Sequence, residues 1–154
     1  LIFAPLPGAF VQPFQAGPTD LHAPSFRDRR RAAIDARLAD ITAGRFGVEA
    51  FLAVLDREHG RVNAFWGWQE ANHAEALLRS VPAPLRAGIC DLVADEPRRA
   101  HAGFPDLVIG NGEPDCCAFI EIKGPGDQLR EGQRRWLEDL RRLGARAEVL
   151  EVRW

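Results

Sequence analysis

At Gly103 the apolar residues stop recurring at helical spacing and begin to come in short runs bounded by turns, and this change of period constrains the fold more than any other feature. Pro105-Asp106-Leu107-Val108-Ile109 is one such run. Gly110-Asn111-Gly112-Glu113-Pro114-Asp115 is dense turn chemistry, and residues 116–123 form a second strand-like run, so the segment predicts a β-hairpin. Gly124-Pro125-Gly126 ends it. An amphipathic helix is expected over 128–143, with Leu129, Trp136, Leu137, Leu140 and Leu143 on its apolar side and Gly144 as its cap; a third strand is expected over 147–152. The order from about 104 to 152 is therefore ββαβ.

Upstream the pattern is helical. Ser25 is a good N-cap for a run in which Phe26, Ile34, Leu38 and Ile41 recur, ending near Gly44. A second helix is predicted over 47–59, with Val48, Phe51, Leu52 and Leu55 on one stripe and Gly60 as its stop, and a third over 69–79. Pro82 and Pro84 open a fourth through Leu85, Ile89, Leu92 and Val93, which Pro97 stops. The class is α/β. At 154 residues the chain is read as one compact domain, with 1–100 as a helical lead-in and support and 101–154 as the core. It begins at Leu1 and contains no methionine, so it is expected to come from inside a longer protein. Prolines, glycines and charges interrupt every apolar run before it reaches the ~18–20 residues that span a bilayer.

The chemistry is concentrated in the hairpin. If the two runs fold back between residues 113 and 114, facing residues have numbers that sum to 227, and Asp106 stands opposite Glu121. Opposed side chains in an antiparallel pair have Cβ atoms about 4.5–5.5 Å apart. Alternation puts Glu121 and Lys123 on one face and Ile120 and Ile122 on the other, so two acids and an amine converge. Two close carboxylates need a shared proton, the lysine or a divalent cation to neutralise them, and oxygen-only ligands favour Mg²⁺ or Mn²⁺. Such a site suits metal-assisted phosphodiester hydrolysis. The competing reading is an ordinary cross-strand ion pair between Lys123 and either acid on a solvated sheet face.

The residues also carry a resemblance. Gly103-Phe104-Pro105-Asp106-Leu107-Val108, then Phe119-Ile120-Glu121-Ile122-Lys123-Gly124-Pro125-Gly126-Asp127, then Gln133, Trp136, Leu137, Leu140 and Gly144-Ala145 resemble the PD-(D/E)xK nuclease core in its VRR-NUC form, and more narrowly the C-terminal nuclease domain of the Fanconi-associated nuclease family. Upstream, Phe14-Gln15, Pro18, Asp20-Leu21, Phe26 and Arg29-Arg30-Arg31 are similar to the helical lead-in of that family. The resemblance implies a Mg²⁺- or Mn²⁺-dependent nuclease that cuts 5′ flaps and acts as a 5′ to 3′ exonuclease in interstrand crosslink repair, with flap or branched duplex DNA as its partner. It implies Asp106, Glu121 and the backbone carbonyl of Ile122 as metal ligands, Lys123 as the catalytic lysine, and Gln133 as the motif glutamine facing the site. It also implies a further acidic ligand on a helix before residue 1; Glu70 or Glu75 could substitute, with nothing to choose between them. Gly132 stands where many family members have a longer polar residue.

Other features bear on function less directly. The net charge of −2 leaves any contact with DNA to local arginine clusters. Arg98, Arg99 and Arg130 flank the hairpin site and are the expected DNA contacts, whereas most other arginines alternate with acids as solvated ion-paired faces. Trp66, Trp68 and Trp136 could stack on bases, though Trp136 lies on the apolar stripe. Cys90, Cys116 and Cys117 are an odd number, which suits a reducing compartment, and four scattered histidines give no zinc signature. Ser25 and Ser80 sit in no nucleophile-elbow motif. Of the 20 basic residues only Lys123 is a lysine. Arginine-rich usage is what a high-GC coding sequence gives, pointing to bacterial cytoplasm, or to the nucleus for a eukaryotic source. The alternative to an enzyme is a DNA-structure-binding module that kept the fold without the catalysis.

Overall fold

The computed structural model describes residues 18–57, 71–111, 113 and 116–153. The helical lead-in forms α1 (Phe26–Thr42), α2 (Val48–Arg57), α3 (Ala71–Ser80) and α4 (Ala83–Asp95). Helix α1 opens without the expected Ser25 side-chain cap; the Ser25 carbonyl instead accepts the Arg29 N–H at 3.0 Å. Gly44, at φ +73°, closes the helix by donating to Ile41 O. Pro84 lies in the first turn of α4, where its missing N–H costs nothing. The expected Gly60 stop and the first residues of the third helix fall outside the described residues.

Pro97 does end α4, but the chain does not go straight into a strand. Residues Pro97–His101 make a 3-10 turn that brings Arg99 under the later helix. The strands are β1 (Leu107–Gly110), β2 (Cys117–Lys123) and β3 (Arg146–Glu151), with α5 (Glu131–Arg142) between the last two. Helix α5 starts three residues later than its apolar pattern suggests, because Arg130 is extended, at ψ 158°, and its N–H is taken by the Gln133 side chain.

The sheet order is β1-β2-β3. β1 and β2 are antiparallel, with Leu107 opposite Ile120 and Gly110 opposite Cys117, the register expected from a turn centred between residues 113 and 114. β3 runs parallel to β2, which the intervening helix makes possible. Period two then sorts the sheet. Val108, Phe119 and Ala147 face α4 and α5, and they meet Val81, Leu85, Trp136, Leu137 and Leu140 in the main core. Burying each large side chain there contributes roughly 1.5–3 kcal/mol. Leu107, Ile109 and Leu150 lie on the opposite face and are exposed. Two smaller clusters pack the lead-in, one around Phe26, Ile34 and Ala94, the other around Ile41, Phe51 and Ala87. The alternation that buries Phe119 also puts Glu121 and Lys123 on the helix-covered face. No helix among the described residues is long and apolar enough to cross a membrane.

Candidate active site

Glu121 is the anomaly of the core: an acid at 1% exposure in the middle strand, two residues from the buried Phe119. A buried carboxylate must be paired and hydrogen-bonded to be tolerated. One of its oxygens is. Oε1 receives the Gln133 Nε2–H from the first turn of α5, and the ammonium of Lys123 lies 2.8 Å from the same oxygen. The other oxygen, Oε2, is buried with no hydrogen-bond partner among the described residues. Leaving such an acceptor unmet costs at least about 1–3 kcal/mol.

The neighbouring groups are held in place by backbone. Asp106 sits one residue before β1 and is exposed; its Oδ2 accepts the Ile122 N–H at 2.8 Å, which ties it across the hairpin beside Glu121. Gln133 uses both ends of its amide: Oε1 accepts the Arg130 N–H at 2.9 Å while Nε2 reaches Glu121. The Lys123 carbonyl accepts the Val152 N–H at 2.8 Å, and its side chain is 13% exposed. Beside Lys123 an open cleft of about 440 Å³ is lined by the Gly124-Pro125-Gly126-Asp127 loop and by Glu151 and Arg153. That loop is closed by the Gly124 N–H donating to Asp127 Oδ2 at 3.1 Å. The sequence showed it only as the end of a strand; its Gly-Pro-Gly-Asp composition was the available signal for a tight turn.

Asp106, Glu121, Lys123 and Gln133 thus come together. The donor set is oxygen only, as a hard divalent cation requires, and the unmet Oε2 gives a cation something to bind. The Ile122 N–H is occupied by Asp106, and its carbonyl is the atom expected to act as a ligand. Among the described residues no third acidic, histidine or cysteine side chain joins them in a group that could hold a metal. Glu75 is engaged by Arg79 at 2.7 Å, and Glu70 lies outside the described residues, as do Trp66 and Trp68.

The three arginines expected at DNA separate. Arg98 and Arg130 are exposed. Arg99 is 8% exposed: its guanidinium pairs with Asp139 at 2.6 Å and lies 4.5 Å over the Trp136 ring, and its carbonyl accepts the Trp136 indole N–H at 3.1 Å. The 3-10 turn that the sequence pattern did not reveal is what turns Arg99 inward, so its role is in packing. Trp136 is core rather than a stacking platform. Burial pushes the Cys90 thiol up to about 11, which removes it as a nucleophile near neutrality.

Comparison with known proteins identifies the family and the fold. The chain is 35% identical over 152 residues to Fanconi-associated nuclease 1 of Homo sapiens, covering 96% of this chain and 15% of that protein. It is 36% identical over 156 residues to the Fanconi-associated nuclease 1 homolog of Pseudomonas aeruginosa, covering 99% of this chain and 28% of the homolog. A crystal structure of paFAN1 bound to 5′-flap DNA superposes with a TM-score of 0.84 at 32% identity, over 99% of this chain and 28% of that one. The chain therefore spans well under a third of the length of these relatives. Helices followed by ββαβ around an acidic hairpin are the PD-(D/E)xK fold. The VRR-NUC domain matches residues 49–154, from α2 through the hairpin, α5 and β3; with most of its length and all four converging side chains inside that match, the chain belongs to the VRR-NUC family.

Proposed function

We propose that the full-length protein is a structure-selective DNA nuclease that needs Mg²⁺ or Mn²⁺, cutting 5′ flaps and acting as a 5′ to 3′ exonuclease in interstrand crosslink repair. The observation that carries the reading is the buried, unbonded Oε2 of Glu121 beside Asp106. An ion pair kept only for stability would give both oxygens donors; here Oε2 is buried and has none among the described residues.

Asp106, Glu121 Oε2 and the Ile122 carbonyl are the proposed metal ligands. The family resemblance implies a further acidic ligand, which the described residues do not supply. A divalent cation held there lowers the pKa of a water and screens the phosphodiester. The protein's own groups do the rest. Gln133 and Lys123 hold Oε1, so that Oε2 stays aimed at the cation. The Lys123 amine, at the mouth of the cleft, orients the attacking water and stabilises charge on the phosphoryl oxygens. Arg98 and Arg130, both exposed, contact the DNA backbone. The work is nucleoid-associated in a bacterial cytoplasm, or nuclear in a eukaryote.

The test is Asp106→Ala in the full-length protein, assayed on a 5′-flap duplex with Mg²⁺ or Mn²⁺. Cleavage is expected from the wild type and lost from the variant, with flap binding and thermal midpoint retained. Wild-type protein that binds the flap and leaves it intact under these conditions overturns the enzyme reading in favour of a DNA-structure-binding module.

A further inference from the structure

The two halves of the site reach each other through a bare backbone contact. Gly103 has φ +84°, and a Cβ built on it would lie 2.5 Å from the Gly132 carbonyl carbon, 2.8 Å from the Gly132 oxygen and 2.8 Å from the Gln133 nitrogen. The loop entering β1 therefore lies directly on the first turn of α5. Both sides of this contact lead to the site. Gln133 holds Glu121 Oε1. Asp106 follows Gly103 by three residues, across Phe104, which packs edge-on to Trp136 at 4.9 Å and to Phe119 at 5.9 Å, and across the buried Pro105. With no adjustable side chain in the contact, the distance from Asp106 to the helix end that aims Glu121 is set by two backbones in van der Waals contact.

We propose, on the metal-site reading above, that Gly103 is a positioning residue of the metal centre: its missing Cβ seats the Asp106 loop on α5 and fixes the spacing between Asp106 and the Glu121–Gln133 pair. Any side chain at 103 lifts the loop by an ångström or more and spreads the two carboxylates.

The test separates this from ordinary backbone strain. Gly144 has φ +85° and nothing within 4 Å of its built Cβ, so Gly144→Ala carries the same strain without the contact. Mn²⁺ is titrated into DNA-free, full-length wild type, Gly103→Ala and Gly144→Ala, with the free ion followed by electron paramagnetic resonance and thermal midpoints recorded alongside. Both variants are expected to lose stability; Gly103→Ala alone weakens Mn²⁺ binding, by about tenfold or more, the range for groups that orient metal ligands. Flap cleavage by Gly103→Ala then falls in kcat at saturating DNA, with KM little changed. If Gly103→Ala does not fold, Gly132→Val probes the contact from the helix side, where a Cβ already touches the loop at 3.7 Å to the Ala102 oxygen and 4.0 Å to the Gly103 Cα and valine adds two methyls. Wild type that binds Mn²⁺, with folded Gly103→Ala or Gly132→Val binding it as tightly as Gly144→Ala does, overturns the clamp alone. Wild type that binds no Mn²⁺ overturns the metal reading itself.

Discussion

Two largely buried ion pairs meet α5, one through Asp139 and the other through Gln133, and they are finished differently. Arg99 and Asp139 are 7% and 14% exposed, and the arginine is also stacked on Trp136 while its carbonyl takes the indole N–H. Lys123 and Glu121 are 13% and 1% exposed, yet Glu121 Oε2 meets no donor among the described residues. The first pair has the surroundings of a structural tie. The second retains an unmet acceptor on a buried strand, a cost that the proposed cation would offset. Depth of burial does not distinguish them; satisfaction does.

The sharpest way to break this contrast is Glu121→Gln, nearly isosteric but unable to offer an anionic oxygen. Cleavage and Mn²⁺ binding should each fall by more than about 100-fold, beyond the usual cost of outer-shell changes, while the protein stays folded, the amide oxygen still accepting from Gln133 and Lys123. A folded variant that still cleaves would place the metal elsewhere. The mirror experiment is Arg99→Ala. It leaves Asp139 to the exposed Arg142, at 2.9 Å, and bares the face of Trp136, so a denaturant melt should show a loss of about 3 kcal/mol, the low end of the cost of breaking a buried pair from one side, with cleavage per folded molecule little changed. Equal stability would mean that the pair is not the tie described. Lys123→Arg keeps the charge but replaces a compact amine with a planar fork. Single-turnover rates should drop by about 100-fold with a shift of only a few degrees in melting; normal cleavage removes Lys123 from the chemistry. The smallest effects belong to the exposed arginines. Arg98→Ala and Arg130→Ala should each raise KM a few-fold and lower the salt slope of binding by about 1; unchanged slopes would put the DNA path on another face.

The hairpin could be read before the structure because its information is local. Turn-rich residues 110–115 fix the fold-back point, that point fixes the register, and period two decides which face receives Asp106, Glu121 and Lys123. Arg99 could not be read in this way. Its neighbours in sequence suggested a basic patch, and only the 3-10 turn and its packing against Trp136 show that it is buried. The start of α5 was missed for a similar reason. Periodicity marks where apolar residues can line up on a helix, whereas the boundary depends on Gln133 taking the Arg130 N–H.

The sequence by itself determined the element order, the hairpin register and the meeting of Asp106, Glu121 and Lys123, because each follows from short-range spacing along one chain, whereas Gln133 was implied only by the family resemblance. It also singled out Lys123, the lone lysine. Tertiary structure alone decided which oxygen of Glu121 is held and which is open, which arginine is buried, and that Gly103 must be bare. Each of these depends on what a residue distant in the chain places beside it, and no local pattern encodes that.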